Sequence, residues 1–288
     1  MVFNIYLIGD FMELLQIIIL SLVQGITEIL PISSSGHLLI IKKILNLQTD
    51  GLLLEIKEEG LILEIFLHLG SLFAVIIYYF KDIKILLSDS VIYLYNKDKN
   101  KKQSFNIIIF LFISTLITGL FGIFLGPFIE NHLSNITYLP IFFLITSIIL
   151  YFCKFNNSHK TLFNMTYIDS MIIGLTQVIG LFPGISRSGS TLLGGKLSKL
   201  DSKSTFKYSY LLFIPITLSS FLLELIKLIN NHYSLNFPIY YYLIGILFSF
   251  IFTLLSMKLL KRIINKDKLY YFSYYLLLLA LFCIIFIK

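Results

Sequence analysis

The chain has 288 residues, 57% of them hydrophobic and only 14% charged, with a mean hydropathy of +0.87. A soluble domain carries roughly a quarter charged residues. The deficit excludes a cytosolic enzyme, a nucleic-acid binder and a disordered chain, and the net charge of +7 marks cytoplasmic loops of a membrane protein, not an acidic partner.

Near the N-terminus, Asp10 and Glu13 stand where a signal peptide would have a basic region. No cleaved leader is expected, and Met12 reads as an equally good start. Residues 12–46 form an apolar stretch interrupted by Pro31 and the Ser33–Ser35 cluster. Apolar runs long enough to span a bilayer follow at 61–80, 105–128 and 138–153. A second interrupted stretch covers 169–195, and further spans are expected at 208–229, 238–257 and 269–287. Each interrupted stretch reads as two half-length helices joined by a break, a re-entrant hairpin whose loose backbone lines a protein cavity. The expected fold is all-α: six transmembrane helices plus two re-entrant helical hairpins. Cys153 and Cys283 fall at or inside apolar runs, so neither a disulfide nor a metal framework is expected.

Lysine and arginine set the orientation. Segments 81–104, 154–168, 195–207 and 258–268 together hold 17 basic residues, whereas 129–137 and 230–237 hold none. Placing the basic segments inside puts both termini outside. The first hairpin then enters from the outer face and the second from the cytoplasmic face.

The hairpins also match in sequence. Gly25-Ile26-Thr27-Glu28 aligns with Gly174-Leu175-Thr176-Gln177. Pro31-Ile32-Ser33-Ser34-Ser35-Gly36-His37 aligns with Pro183-Gly184-Ile185-Ser186-Arg187-Ser188-Gly189-Ser190, given one extra residue. Three spans follow each hairpin, so the second copy is inverted. One integral membrane domain is expected, made of repeats 1–160 and 161–288, with a binding site where the broken helices meet. The plainer reading is that these small residues only permit close helix packing.

Ionisable groups inside a bilayer cost about 2.5–3.5 kcal/mol each on insertion scales, so each needs a reason. The first hairpin holds Glu28 and His37, with Gln24 one turn before Glu28 on the same face. The second holds Arg187, one of only two arginines in a lysine-rich chain. Its planar fork suits bidentate phosphate binding, which Lys cannot reproduce. Ser33, Ser34, Ser35 and Gly36, and likewise Ser186, Ser188 and Gly189, fall at half-helix starts, where free N–H groups form an anion site. Ordinary N-caps look the same. Glu64 and His68 form a second polar patch, either lining the same cavity or solvated at the outer end. Glu224, His132 and His232 read as surface residues.

These motifs resemble the bacitracin-resistance type of undecaprenyl-diphosphate phosphatase. Gln24-Gly25-Ile26-Thr27-Glu28 with Leu30-Pro31-Ile32-Ser33-Ser34-Ser35-Gly36-His37 is similar to the family's first signature. Pro183-Gly184-Ile185-Ser186-Arg187-Ser188-Gly189-Ser190-Thr191 is similar to the second. The segments around Leu67-His68-Leu69-Gly70 and Tyr208-Ser209-Tyr210-Leu211-Leu212, with Pro215, also resemble family stretches. The resemblance implies an inner-membrane hydrolase that converts undecaprenyl diphosphate to undecaprenyl phosphate. That step recycles the lipid carrier for peptidoglycan synthesis, supports cell shape and confers resistance to bacitracin.

Carried over by resemblance, the functional positions are Gln24, Glu28, Ser33, Ser34, Ser35, His37 and Arg187, with Ser186, Ser188 and Thr191. Gln24 stands where some members have Glu, so no carboxylate pair is present. A divalent cation, Mg²⁺ or Ca²⁺, is implied, with Glu28 and Gln24 as its ligands. The expected catalytic set is Ser34 as nucleophile, His37 as its base, Glu28 orienting His37 or the cation, and Arg187 holding phosphoryl oxygens. His37 or water as the attacking group stays open. The pocket is expected to open to the periplasmic side, and a homodimer is compatible with the sequence. The alternative function is an inverted-repeat transporter that flips a polyprenyl phosphate or carries a small anion.

Overall fold

A computed structural model describes residues 2–46, 59–133, 135–153, 160–230, 238–264 and 268–287. Its helices are α1 (Val2–Ile29), α2 (Ser34–Asn46), α3 (Glu59–Tyr78), α4 (Phe80–Asn96), α5 (Lys102–His132) and α6 (Leu139–Phe152). They continue as α7 (Tyr167–Ile179), α8 (Arg187–Leu197), α9 (Ser202–Asn230), α10 (Ile239–Ile264) and α11 (Tyr271–Phe286). Among the described residues there is no β-strand, only an isolated bridge between Lys160 and Leu200. The all-α architecture with several apolar helices is that of a polytopic membrane protein.

All six expected spans are helical, but their lengths differ. The helices reaching membrane-spanning length and apolarity are Met12–Ile29, Lys99–Ile129, Ser202–Lys227 and Ile239–Ile264. The apolar helices α6, α7 and α11 are shorter. Two expectations are corrected. The first arm of the hairpin at 12–46 is not half-length: α1 runs unbroken to Ile29, and its Gly25 is tolerated where α10 packs closely. Segment 81–104 is not a plain basic loop: α4 lies there, bent 70° from α3 at Tyr79. The charges Lys81, Asp82, Lys84 and Asp89 hide its apolar face, which exposes Ile85, Leu87, Val91 and Leu94.

The breaks lie where the sequence puts Pro and Ser. Pro31 and Pro183 each follow the end of a helix, where the residue before Pro is held out of the α region. Gly184 adopts φ +103°, and a Cβ there would meet Leu139 and Phe142 at 2.7 and 2.9 Å. Glycine is therefore required. Each restart is capped by its own serine: Ser33 Oγ accepts from the Gly36 amide at 3.3 Å, and Ser186 Oγ from the Gly189 amide at 3.1 Å.

Packing follows small residues. Helix α1 packs on α10 and α7 on α5, while α3 meets α9 and α6 meets α11. Gly25 sits against Ser249 and Phe252 of α10, and Gly174 against Ser114 of α5. Backbones approach this closely only where side chains are small. Outward-facing Phe112, Phe124, Leu223, Leu247 and Ile285 are exposed, as lipid-facing residues must be.

Candidate active site

The helix breaks meet at a cavity of about 340 Å³, lined by Glu28, Ser34, Ser186 and Arg187 together with Glu64, His68 and Glu224. Glu28 comes from the last turn of α1, Ser34 from the first residue of α2, and Arg187 from the first residue of α8. Three elements thus converge because two helices restart there.

Glu28 organises the cavity. Its Oε1 is ion-paired with an Arg187 amino group, and its Oε2 accepts from Ser34 Oγ at 2.5 Å and from Gln24 Nε2 at 2.9 Å. Arg187 also donates from Nη1 to Thr217 Oγ1 at 3.1 Å, and its guanidinium lies 4.4 Å from the Phe213 ring centroid. Glu28 and Gln24 are buried, so removing either charge of the Glu28–Arg187 pair leaves the other uncompensated.

Several expected residues line this cavity: Ser33, Ser34, Ser35, Ser186, Ser188, Glu28 and Arg187. The N–H groups in the first turns of α2 and α8 have no carbonyl partner within their helices, which leaves donors for an anion there. Others lie elsewhere. Gly36 packs against the Phe143 ring, and its amide is used by the Ser33 cap. Gly189 is likewise committed to Ser186, while buried Thr191 bonds Ser209 at 2.6 Å and ties α8 to α9.

His37 does not meet Ser34. Its Nδ1 lies 2.7 Å from the Ser33 carbonyl and its Nε2 lies 2.7 Å from the Tyr275 hydroxyl of α11. Its ring stacks on Tyr275 and meets Phe143 edge-on. The expected Ser34–His37 pairing is not formed, because both ring nitrogens are taken by Ser33 and Tyr275. Ser34 meets Glu28 instead.

Glu224, read as a surface residue, lines the cavity and accepts from Lys227 at 2.9 Å. Glu64 and His68 both face the cavity. Glu64 is ion-paired with Lys42, and His68 Nδ1 lies 2.5 Å from Gln24 Nε2. Sequence reasoning missed Thr217, Phe213 and Tyr275. Thr217 carries a signal, a hydroxyl two residues after Pro215 in an apolar helix, but the two aromatics carry none among so many.

For a cation the donors are oxygens. Gln24 Oε1 is buried with no partner, on the amide whose Nε2 donates to Glu28, and an unpaired oxygen suits a hard divalent ion. Among the described residues, no group of three His, Cys, Asp or Glu side chains is placed to hold a metal. The set fits an ion that takes most of its ligands from a bound diphosphate.

Fold and site define a polytopic helical membrane protein with a buried carboxylate–serine–arginine constellation in a polar cavity. Residues 17–282 match the family model described as "Bacitracin resistance protein BacA", and the chain belongs to this family. It is 37% identical over 264 residues to an undecaprenyl-diphosphatase of Thermosipho africanus, covering 92% of this chain and 96% of that protein. It is 32% identical over 278 residues to undecaprenyl-diphosphatase 1 of Bacillus cereus, covering 96% and 99%. An undecaprenyl-diphosphatase of Acholeplasma laidlawii is 33% identical over 267 residues, covering 90% and 92%.

Proposed function

We infer that this chain is an undecaprenyl-diphosphate phosphatase, a multi-pass hydrolase of the bacterial inner membrane. It removes the terminal phosphate of undecaprenyl diphosphate and returns undecaprenyl phosphate for cell-wall synthesis. Full-length similarity to proteins named for this activity supports the substrate. The observation that carries the chemistry is the Glu28 carboxylate shared between Ser34 and Arg187.

Ser34 is the nucleophile and Glu28 its base. Glu28 takes the Ser34 proton as Oγ attacks the terminal phosphorus, the anhydride bond breaks, and undecaprenyl phosphate leaves. Glu28 passes that proton to the departing phosphate. Water then attacks the phosphoserine, giving a proton to the freed Glu28 carboxylate, which returns it to Ser34 Oγ as the Oγ–phosphorus bond breaks and inorganic phosphate leaves. Arg187, held by Thr217 and Phe213, binds the equatorial oxygens, where negative charge is spread in the transition state. First-turn amides of α2 and α8 add donors. His37 holds the Ser33 turn. A divalent cation, when bound with Glu28 and the Gln24 amide oxygen as protein ligands, supplies charge neutralisation for the diphosphate.

The two halves, 1–160 and 161–288, form an inverted repeat, each opening on a helical hairpin, with both termini outside and the cavity open to the periplasm. Paired packing of α1 on α10 and α7 on α5 supports this reading, as does the excess of basic residues at one end. A transporter needs binding groups only; the Ser34–Glu28 contact is surplus to it. Phosphate release from prenyl diphosphate by detergent-solubilised protein tests the function, since no compartment remains to transport across. Absence of release would overturn it.

A further inference from the structure

A second cavity, of about 530 Å³, takes no part in the mechanism above. Lys203 and Lys207 of α9, Lys261 of α10, and Tyr79 and Asp82 at the α3–α4 bend line it, with Met257 and Leu260 as an apolar wall. Tyr210 is common to this cavity and to the small gap behind Glu28 and Arg187, and its hydroxyl donates to the Ile29 carbonyl at 2.9 Å. The basic cavity therefore lies on the far side of Tyr210 from the ion pair.

The charge balance is uneven. Lys207 is paired with Asp82 at 2.5 Å, the sole carboxylate in the lining. Lys203 and Lys261 have no acidic partner among the described residues. The cytoplasmic bias toward lysine does not by itself gather ammonium groups from two helices around one hollow. Lys258 and Arg262 on the same end of α10 lie outside it. Uncompensated cations above an apolar wall recognise an amphiphile with a compact, multiply charged anionic head, and a phosphate monoester carries nearly two negative charges near neutral pH.

We propose that this cavity is a second binding site, for a lipid with a phosphate-monoester head. The ligand class follows from the lining alone and does not rest on the hydrolytic reading.

The test uses full-length protein in nanodiscs of zwitterionic lipid and a prenyl monophosphate carrying a photoreactive group on its chain. Cross-links should map to the peptides around Lys203–Tyr210 and Met257–Leu260. In a Lys203→Gln, Lys261→Gln double variant they should fall at least about tenfold, since each lysine near a membrane surface attracts an anionic head. The Lys203→Arg, Lys261→Arg pair keeps the charge and should label like the natural protein, while loss in both pairs would overturn the charge argument. Unlabelled prenyl phosphate should compete. Equal competition by the prenyl alcohol, by inorganic phosphate or by phosphatidylglycerol, a diester, would overturn the site as one for a lipid monoester. Phosphate release is measured in parallel and should be unchanged in the Gln pair, so failure of this site and failure of the phosphatase reading are separately visible.

Discussion

Ser34 donates its hydroxyl hydrogen to Glu28 at 2.5 Å, joining the first residue of α2 to the last turn of α1 across the helix break. The aligned positions in the second hairpin are Arg187 for Ser34 and Gln177 for Glu28. Gln177 spends its amide on Thr118 of α5 at 2.7 Å, so no base lies there. The two hairpins share a capping geometry but not a chemistry: one holds an acid–base carboxylate beside a hydroxyl, the other contributes the cation.

Ser34→Ala should therefore reduce phosphate release by a factor on the order of 10³ or more, because it removes the attacking atom. Ser188→Ala should cost far less. Ser188 lines the cavity and shares a hydrogen bond with Ser186 at 3.2 Å, so its loss is that of one bond, about 1–3 kcal/mol if it leaves a buried partner unmet. Single-turnover assays on both variants decide the matter, and equal losses would remove Ser34 from the nucleophile's role.

Arg187→Lys keeps the charge beside Glu28 but loses the fork that reaches Glu28 and Thr217 together. Activity should fall nearly as far as in Arg187→Ala, chiefly in kcat. Thr217→Val removes only the acceptor for Nη1 and should cost about 0.5–1.5 kcal/mol, a few-fold to tenfold in rate. A Lys variant with near-normal turnover would show that charge alone suffices.

Cation binding should depend on substrate. With Glu28 committed to three partners and Gln24 offering a single amide oxygen, Mg²⁺ alone should bind weakly, by calorimetry, and much more tightly with a non-hydrolysable prenyl diphosphate. Chelation should abolish turnover, and Gln24→Glu should raise affinity for the ion alone. Full activity in chelator would leave Glu28 with acid–base work only.

Orientation is open to cysteine labelling. Natural Cys153 and Cys283 are buried, which keeps the background low. A cysteine at Asn135 should react from outside in intact cells, and one at Asn100 only after permeabilisation. Labelling of position 100 in intact cells would reverse the topology and put the cavity mouth on the cytoplasmic side.

Much of the fold was legible because its signals are local. Long apolar runs give helices in any context, and Pro31, Pro183 and the two serine clusters mark the breaks where α2 and α8 restart. Helix α4 was hidden because four charged residues, Lys81, Asp82, Lys84 and Asp89, dilute its hydropathy. In the site, Glu28, Ser34 and Arg187 were legible as polar groups that an apolar hairpin would otherwise exclude. Their connections were not. Whether Ser34 meets His37 or Glu28 depends on which way each ring or carboxylate turns, and that is set by Tyr275, 238 positions from His37. Glu224 reads as a surface residue because closeness to a predicted helix end says nothing about which face of α9 it occupies.

His37 gives the sharpest test of that difference. The Ser33 carbonyl can only accept, so the Nδ1 contact of 2.7 Å places a proton on Nδ1, and in the neutral ring Nε2 then accepts from the Tyr275 hydroxyl at 2.7 Å. A neutral ring bonded at both nitrogens has no lone pair left for Ser34. What it does is hold the Ser33 turn, whose φ of +70° is an uncommon backbone state for a residue with a side chain. His37 is thus a positioning residue. His37→Gln, whose amide also donates, should retain more activity than His37→Leu, and neither should shift the pH–rate profile. Tyr275→Phe leaves Nε2 without its donor and should lower stability by about 1–3 kcal/mol with kcat changed only a few-fold. If instead the limb of the profile set by a group titrating near the ordinary histidine range, about 6.5, disappears in His37→Gln, the ring is a base during turnover, and His37 has turned toward Ser34 with substrate bound.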